Sequence, residues 1–144
     1  MRKKISFFTL IIISFFLLSN SHQLDEWNNY YQSDEFIISS KSFQCIDEIN
    51  GTDHNYILFR FENKTDEEIT ISYKQELWYD NQCANCESSS AEHIKTITLR
   101  PKEIIEGDCT SKSNLKIFQN MPSGLTKRAL TKFELKDIHS TSQK

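Results

Sequence analysis

The chain has 144 residues, with 20 acidic and 17 basic side chains, three glycines, three alanines and no valine. Setting aside Arg2, Lys3 and Lys4 leaves 14 basic against 20 acidic residues, a net charge near −6, and no Lys/Arg cluster is dense enough to form the basic face of a nucleic-acid binder. So few glycines exclude a phosphate-cradling loop and so few alanines argue against a helix bundle, whereas Ile, Thr and the aromatics suit pleated sheet.

Arg2-Lys3-Lys4 opens the chain, Ile5 to Leu18 is an apolar run, and Ser19 and Ser21 place small residues at −3 and −1 of a cut after Ser21. That order predicts a secretory signal peptide over 1–21. The run is short for a spanning helix, and no later segment is apolar enough to cross a bilayer. The next cysteine is Cys45, which rules out lipid attachment at a new N-terminal cysteine. The expected mature chain is secreted or periplasmic, without a membrane span. Residues 22–35 read as a polar leader whose aromatics, Trp27, Tyr30 and Tyr31, dock at most locally.

The domain proper is expected over 36–139, followed by a polar tail, 140–144. Strand regions are expected at Phe36–Ile49, Tyr56–Glu62, Glu68–Asp80, His93–Leu99, Ile104–Cys109, Leu115–Phe118 and Ala129–Ile138. Turn clusters separate most of them: Asn50-Gly51-Thr52-Asp53, Asn63-Lys64-Thr65-Asp66, Arg100-Pro101-Lys102-Glu103 and Met121-Pro122-Ser123-Gly124. Glu68–Asp80 alternates most cleanly, with Ile69, Ile71, Tyr73, Leu77 and Tyr79 on one face and Thr70, Ser72, Lys74, Glu76 and Trp78 on the other. Residues 81–91 read as a loop, and Leu125–Leu130 is at most a turn or two of helix. Short strands at this spacing predict an all-β fold, an antiparallel β-sandwich of about seven strands. Its expected core is Phe59, Phe61, Ile69, Ile71, Leu77, Leu99, Leu115, Ile117, Phe133 and Leu135.

The run Y-I-L-F-R-F-E-N-K-T-D-E-E-I-T-I at 56–71, with L-R-P-K-E-I-I-E-G-D-C at 99–109, resembles small secreted bacterial β-sandwich domains of immunoglobulin-like type. In those domains an E-N-x-T turn joins two core strands and an L-x-P-x-E turn joins two more. The resemblance implies an immunoglobulin-like fold and assigns no catalytic or binding residue.

The chemistry-bearing residues are the four cysteines, Cys45, Cys83, Cys86 and Cys109. An even count in an exported chain points to disulfides, with three possible pairings. If consecutive strands alternate direction, all four fall at one pole, together with His54, His93 and His139. Cys109 is then expected to bond to another segment, either Cys45 or one of the Cys83-x-x-Cys86 pair. A Cys83–Cys86 bond would close a small ring with little entropic gain. The alternatives are a zinc site built on Cys83 and Cys86, which lacks the second half of a ribbon or finger spacing, and a thiol–disulfide centre at the same pair, which lacks a helix behind it and has Asp80 and Glu87 nearby. Asn50-Gly51-Thr52 and Asn63-Lys64-Thr65 match glycosylation acceptors.

No metalloprotease, nucleophile-elbow or phosphate-loop motif occurs, so a non-enzymatic binding or structural module without a cofactor is expected. Its partner would be a protein or a glycan, met by Trp78, His54, His93 and the loops near 50–55, 81–92 and 109–113. The charge is uneven: residues 22–87 carry 14 acidic and 4 basic side chains, residues 88–144 carry 6 and 10. Either strands of the two halves interleave and cancel, or an acidic face awaits a basic partner.

Overall fold

Period-two alternation puts one side of each strand into a shared interior, and the observed architecture follows from it. The structure is a computed structural model and describes residues 26–122, 124 and 127–143. The expected signal peptide lies outside the described residues, as does part of the possible helical turn at 125–130. Among the described residues there are nine strands: β1 Asn28–Gln32, β2 Phe36–Asp47, β3 Thr52–Asn63, β4 Glu68–Tyr79, β5 Gln82–Cys83, β6 Ile94–Leu99, β7 Ile104–Glu106, β8 Lys116–Asn120 and β9 Leu130–Gln143. One sheet runs β1-β2-β3, with β7 and β8 both on the far edge of β3. The other is centred on β4, with β9 along one edge and β6 and β5 along the other. All pairings are antiparallel. Among the described residues no helix is long and apolar enough to cross a membrane.

The inner faces meet in one core of Phe36, Ile38, Phe59, Phe61, Ile69, Ile71, Tyr73, Ile97, Leu99, Ile117 and Leu135. Leu77, Leu115 and Phe133, expected inside, are partly buried against it. Phe61 stacks on Tyr73 at 5.8 Å and Phe59 meets Phe133 edge-on at 5.5 Å, so aromatic pairs tie one sheet to the other. The Tyr73 hydroxyl donates to Asn114 O at 2.7 Å and the Tyr79 hydroxyl to Phe118 O at 3.1 Å. Burial pushes the Tyr73 phenol well above its ordinary pKa.

Four expectations change. The described part of the expected leader, 26–35, is more than a leader, because β1 pairs with β2 over Asn28–Gln32. A register shift between Asn29 and Tyr31 lets adjacent Tyr30 and Tyr31 both pack on the core. Tyr30 stacks on Phe133 at 5.3 Å, and its hydroxyl accepts from Leu135 N. Residues 140–143 are strand rather than tail, because β9 pairs along the whole of β4. A bulge with Asp137 at φ 51 shifts its inward residues from Phe133 and Leu135 to Ile138. The short β5 also forms within the expected loop.

The fourth change concerns direction. β7 and β8 both run antiparallel to β3, at Arg60–Glu62 and Asn55–Leu58 respectively. They are one interrupted strand, and β9 therefore runs opposite to the direction simple alternation assigns it. His139 pairs with Ser72 in the first half of β4, away from the pole where it was expected.

Candidate functional site

The interruption between β7 and β8 builds the site. Gly107 N donates to Phe59 O, and Phe59 N donates to Leu115 O, so both ends of the excursion are tied to one residue of β3. A Cβ on Gly107 would collide with the Leu115 carbonyl, so glycine alone permits this closure. From there the excursion crosses the outer face of β3 and Cys109 bonds to Cys45 on β2, with Cα atoms 5.6 Å apart. Leu58, on that outer face, is only 2% exposed although it lies outside the main core.

The β2–β3 sheet thus has apolar material on both sides. Past Ser40 the inner-facing Ser42 and Gln44 are exposed, while outer-facing Phe43 is half-buried and Cys45 buried. Cys45 stands opposite His54 and Phe43 opposite Tyr56. His54, Tyr56 and Phe118 form an edge-to-face triad, with centroids 5.7–6.0 Å apart. Lys116 Nζ lies 4.7 Å over the Tyr56 ring and donates to Cys109 O at 2.6 Å, fastening the excursion to the aromatic floor. Asp108 accepts from Thr110 N, Thr110 Oγ1 and Ser111 Oγ, and these bonds hold its carboxyl below the ordinary range.

Above this floor lies an open cleft of about 670 Å³. Its walls are the Cys45–Cys109 bond, His54, Tyr56 and the β2–β3 hairpin tip. Gly51, at φ 63, lets the hairpin turn. Asp47 fixes the tip by accepting from Ile49 N, Asn50 N and Asn50 Nδ2, which keeps its carboxyl ionised below its usual pKa. At the lip Ile46 is 66% and Ile49 96% exposed, beside Asp47 and Glu48. Among the described residues no Lys or Arg is part of the cleft lining itself, although Lys116 sits against Tyr56 and Cys109 behind it. The chemistry that its described lining offers is apolar contact, ring stacking and attraction of positive charge.

The expected contact residues divide between the two sheets. His54 and the loops near 50–55 and 109–113 meet at the cleft. Trp78 lies on the outer side of the other sheet, with Lys132 Nζ 4.4 Å over its ring. His93 precedes β6, which starts opposite Lys74 midway along β4 rather than at the pole. The second disulfide joins Cys83 to Cys86. The four sulfurs therefore form two separate pairs, and the loop over 81–92 is not stapled to a distant segment. Among the described residues no group of three or more His, Cys, Asp or Glu is disposed to hold a metal.

Two asparagines carry roles that motif reading missed. Asn85, inside the Cys83-x-x-Cys86 ring, is 8% exposed and bonds the edge of β4 through Gln75 O and Leu77 N. Asn63, fully buried, donates to Glu67 O and Arg100 O and accepts from Thr65 N and Oγ1. Its side chain is consumed by the fold, so of the two glycosylation patterns only Asn50 presents an exposed amide. A polar residue between two apolar strands was the available signal for Asn63. For Asn85 there was none beyond its place in the ring. No family model matches the chain, and neither does any curated protein or solved structure.

Proposed function

We propose that the protein is an exported β-sandwich module of immunoglobulin-like type whose β2–β3 cleft, a non-catalytic surface, captures a basic, extended segment of a partner protein. The observation that carries this reading is the exposed Ile46 and Ile49 pair on a disulfide-braced lip beside the carboxylates of Asp47 and Glu48, with the Lys116 ammonium held below on Tyr56 and Cys109 O. Exposed isoleucines beside a concave aromatic floor mark a contact surface rather than a solvated turn. The acidic rim selects lysine or arginine on the incoming chain, and the Tyr56 and His54 rings can receive its apolar side chains. Two disulfides suit the oxidising compartment that the signal sequence implies.

The test uses the mature chain and fluorescent peptides that alternate Lys with Leu, against Glu/Leu controls. Saturable binding of the Lys series alone is expected, weakened by added salt and at least tenfold in the Ile46→Ser/Ile49→Ser double variant. Equal binding of both series, or an unaffected double variant, would remove the cleft as the site. Export is checked separately: the protein recovered from outside the cytoplasm should begin at His22.

A further inference from the structure

The Cys83–Cys86 pair differs in kind from Cys45–Cys109. The latter has one sulfur residue buried and closes a loop between residues 64 apart in sequence. The former closes a ring between residues only 3 apart, whose cross-link removes little chain entropy. What holds that ring in place is the sheet edge. β6 pairs with β4 as far as Lys74, and the Asn85 side chain then takes Gln75 O at 2.7 Å and Leu77 N at 2.8 Å. Ala84 N donates to Leu77 O at 2.8 Å, and Cys83 itself pairs with Trp78. The side-chain amide thus stands in for a missing strand residue. None of these bonds involves either sulfur, so the sheet edge holds Cys83 and Asn85 independently of the cross-link.

The two sulfurs are also unequal. Cys83 is exposed and Cys86 half-buried. Exposure selects Cys83 for attack, and Cys86 N, which donates to Cys83 Sγ at 3.0 Å, eases the departure of Cys83 when a mixed disulfide on it resolves. Lys74 Nζ reaches Cys86 O at 3.2 Å and pairs with Glu76, while Arg128 pairs with Asp80, so two of the nearby carboxylates are partly offset and Glu87 remains.

We infer that Cys83–Cys86 is an exchangeable disulfide that oxidises dithiols, with Cys83 the sulfur attacked. A substrate thiolate bonds to Cys83 Sγ, and the breaking bond leaves its electron pair on Cys86, which takes up a proton. The substrate's second thiolate then attacks its own sulfur in the mixed disulfide and releases Cys83 as a thiol. Two electrons and two protons pass to the protein and one disulfide to the substrate. A low-molecular-weight disulfide reverses the cycle. The activity is independent of the cleft.

The full mature chain is equilibrated in glutathione redox buffers, acid-quenched, alkylated and mapped by mass spectrometry. Cys83–Cys86 should open within the range of those buffers while Cys45–Cys109 stays closed. In Cys86→Ser a stable glutathione adduct should form on Cys83, at least tenfold faster than on Cys86 in Cys83→Ser. A Cys83–Cys86 bond as resistant as Cys45–Cys109 would overturn the inference, as would equal reactivity of the two single variants. The wild-type titration decides even if a variant folds poorly, and Lys/Leu peptide binding unchanged by either substitution separates this result from the cleft.

Discussion

Asn63 shows how one polar side chain can hold a turn. It ends β3, receives the Thr65 amide and hydroxyl, and reaches across to Arg100 O at the end of β6 on the other sheet. Its backbone N donates to Glu103 O. Replacing it with alanine strands buried backbone groups rather than deleting one bond, so Asn63→Ala should cost about 2–4 kcal/mol. Phe59→Ala, at the centre of the aromatic core, should cost about 3–5 kcal/mol through lost burial and a residual cavity. Chemical denaturation of both variants checks the pair. An unchanged midpoint for Asn63→Ala would show that water replaces its partners. In a glycosylating host, folded protein should carry sugar on Asn50 and none on Asn63, as glycopeptide mapping would read.

At the scale of elements, alternation made β4 and β6 legible, because each has one face committed to the core, and it found the inner face of β3 and the first half of β9. It failed where a strand changes its commitment. β2 is apolar inward at Phe36 and Ile38 and outward at Phe43 and Cys45, a switch that a single-face reading cannot represent. β1 was obscured because its polar asparagines are the exposed residues and its bulge puts both tyrosines inward. The β7–β8 interruption hid behind two short apolar runs that look like a hairpin, although no local residue encodes that they share one edge of β3. The nearest sequence signal is Gly107, whose lack of a Cβ lets Leu115 close over it. Gly107→Ala should therefore pry open the excursion's base and slow or weaken Cys45–Cys109 closure. That bond constrains the unfolded chain by roughly 4 kcal/mol on the chain-entropy model. The expected signature is free thiol at Cys45 and Cys109 in refolded Gly107→Ala, with Cys83–Cys86 unaffected. Full oxidation and wild-type stability in that variant would show that the carbonyl moves aside at little cost.

Over the whole molecule, the acidic first half and basic second half are interleaved by topology. Lys102 pairs with Asp66, Arg128 with Asp80, and Lys116 and Lys132 cover aromatic rings from the other half. The charges that respond to pH do so mainly through hydrogen bonds. Asp47 is held low first by the Asn50 amide, Glu103 by Arg100, Asp108 by Thr110 and Glu134 by Lys132. A carboxylate whose folded pKa is depressed takes up protons later than in the unfolded chain as pH falls. Its contribution is complete above the unfolded value, near 4, and is lost as pH drops through the folded one. Tyr73 sets the opposite limit: its buried phenol stays protonated while the unfolded chain ionises near pH 10, so stability falls as pH rises above that point. Thermal melting across pH should give a plateau from about pH 5 to pH 9.5 with losses on both sides. Asp108→Asn should shallow the acid limb, because it removes one proton-linked group. Tyr73→Phe should flatten the alkaline limb while lowering the plateau by about 1 kcal/mol for the lost bond to Asn114 O. An alkaline limb of unchanged slope in Tyr73→Phe would assign that loss to other groups.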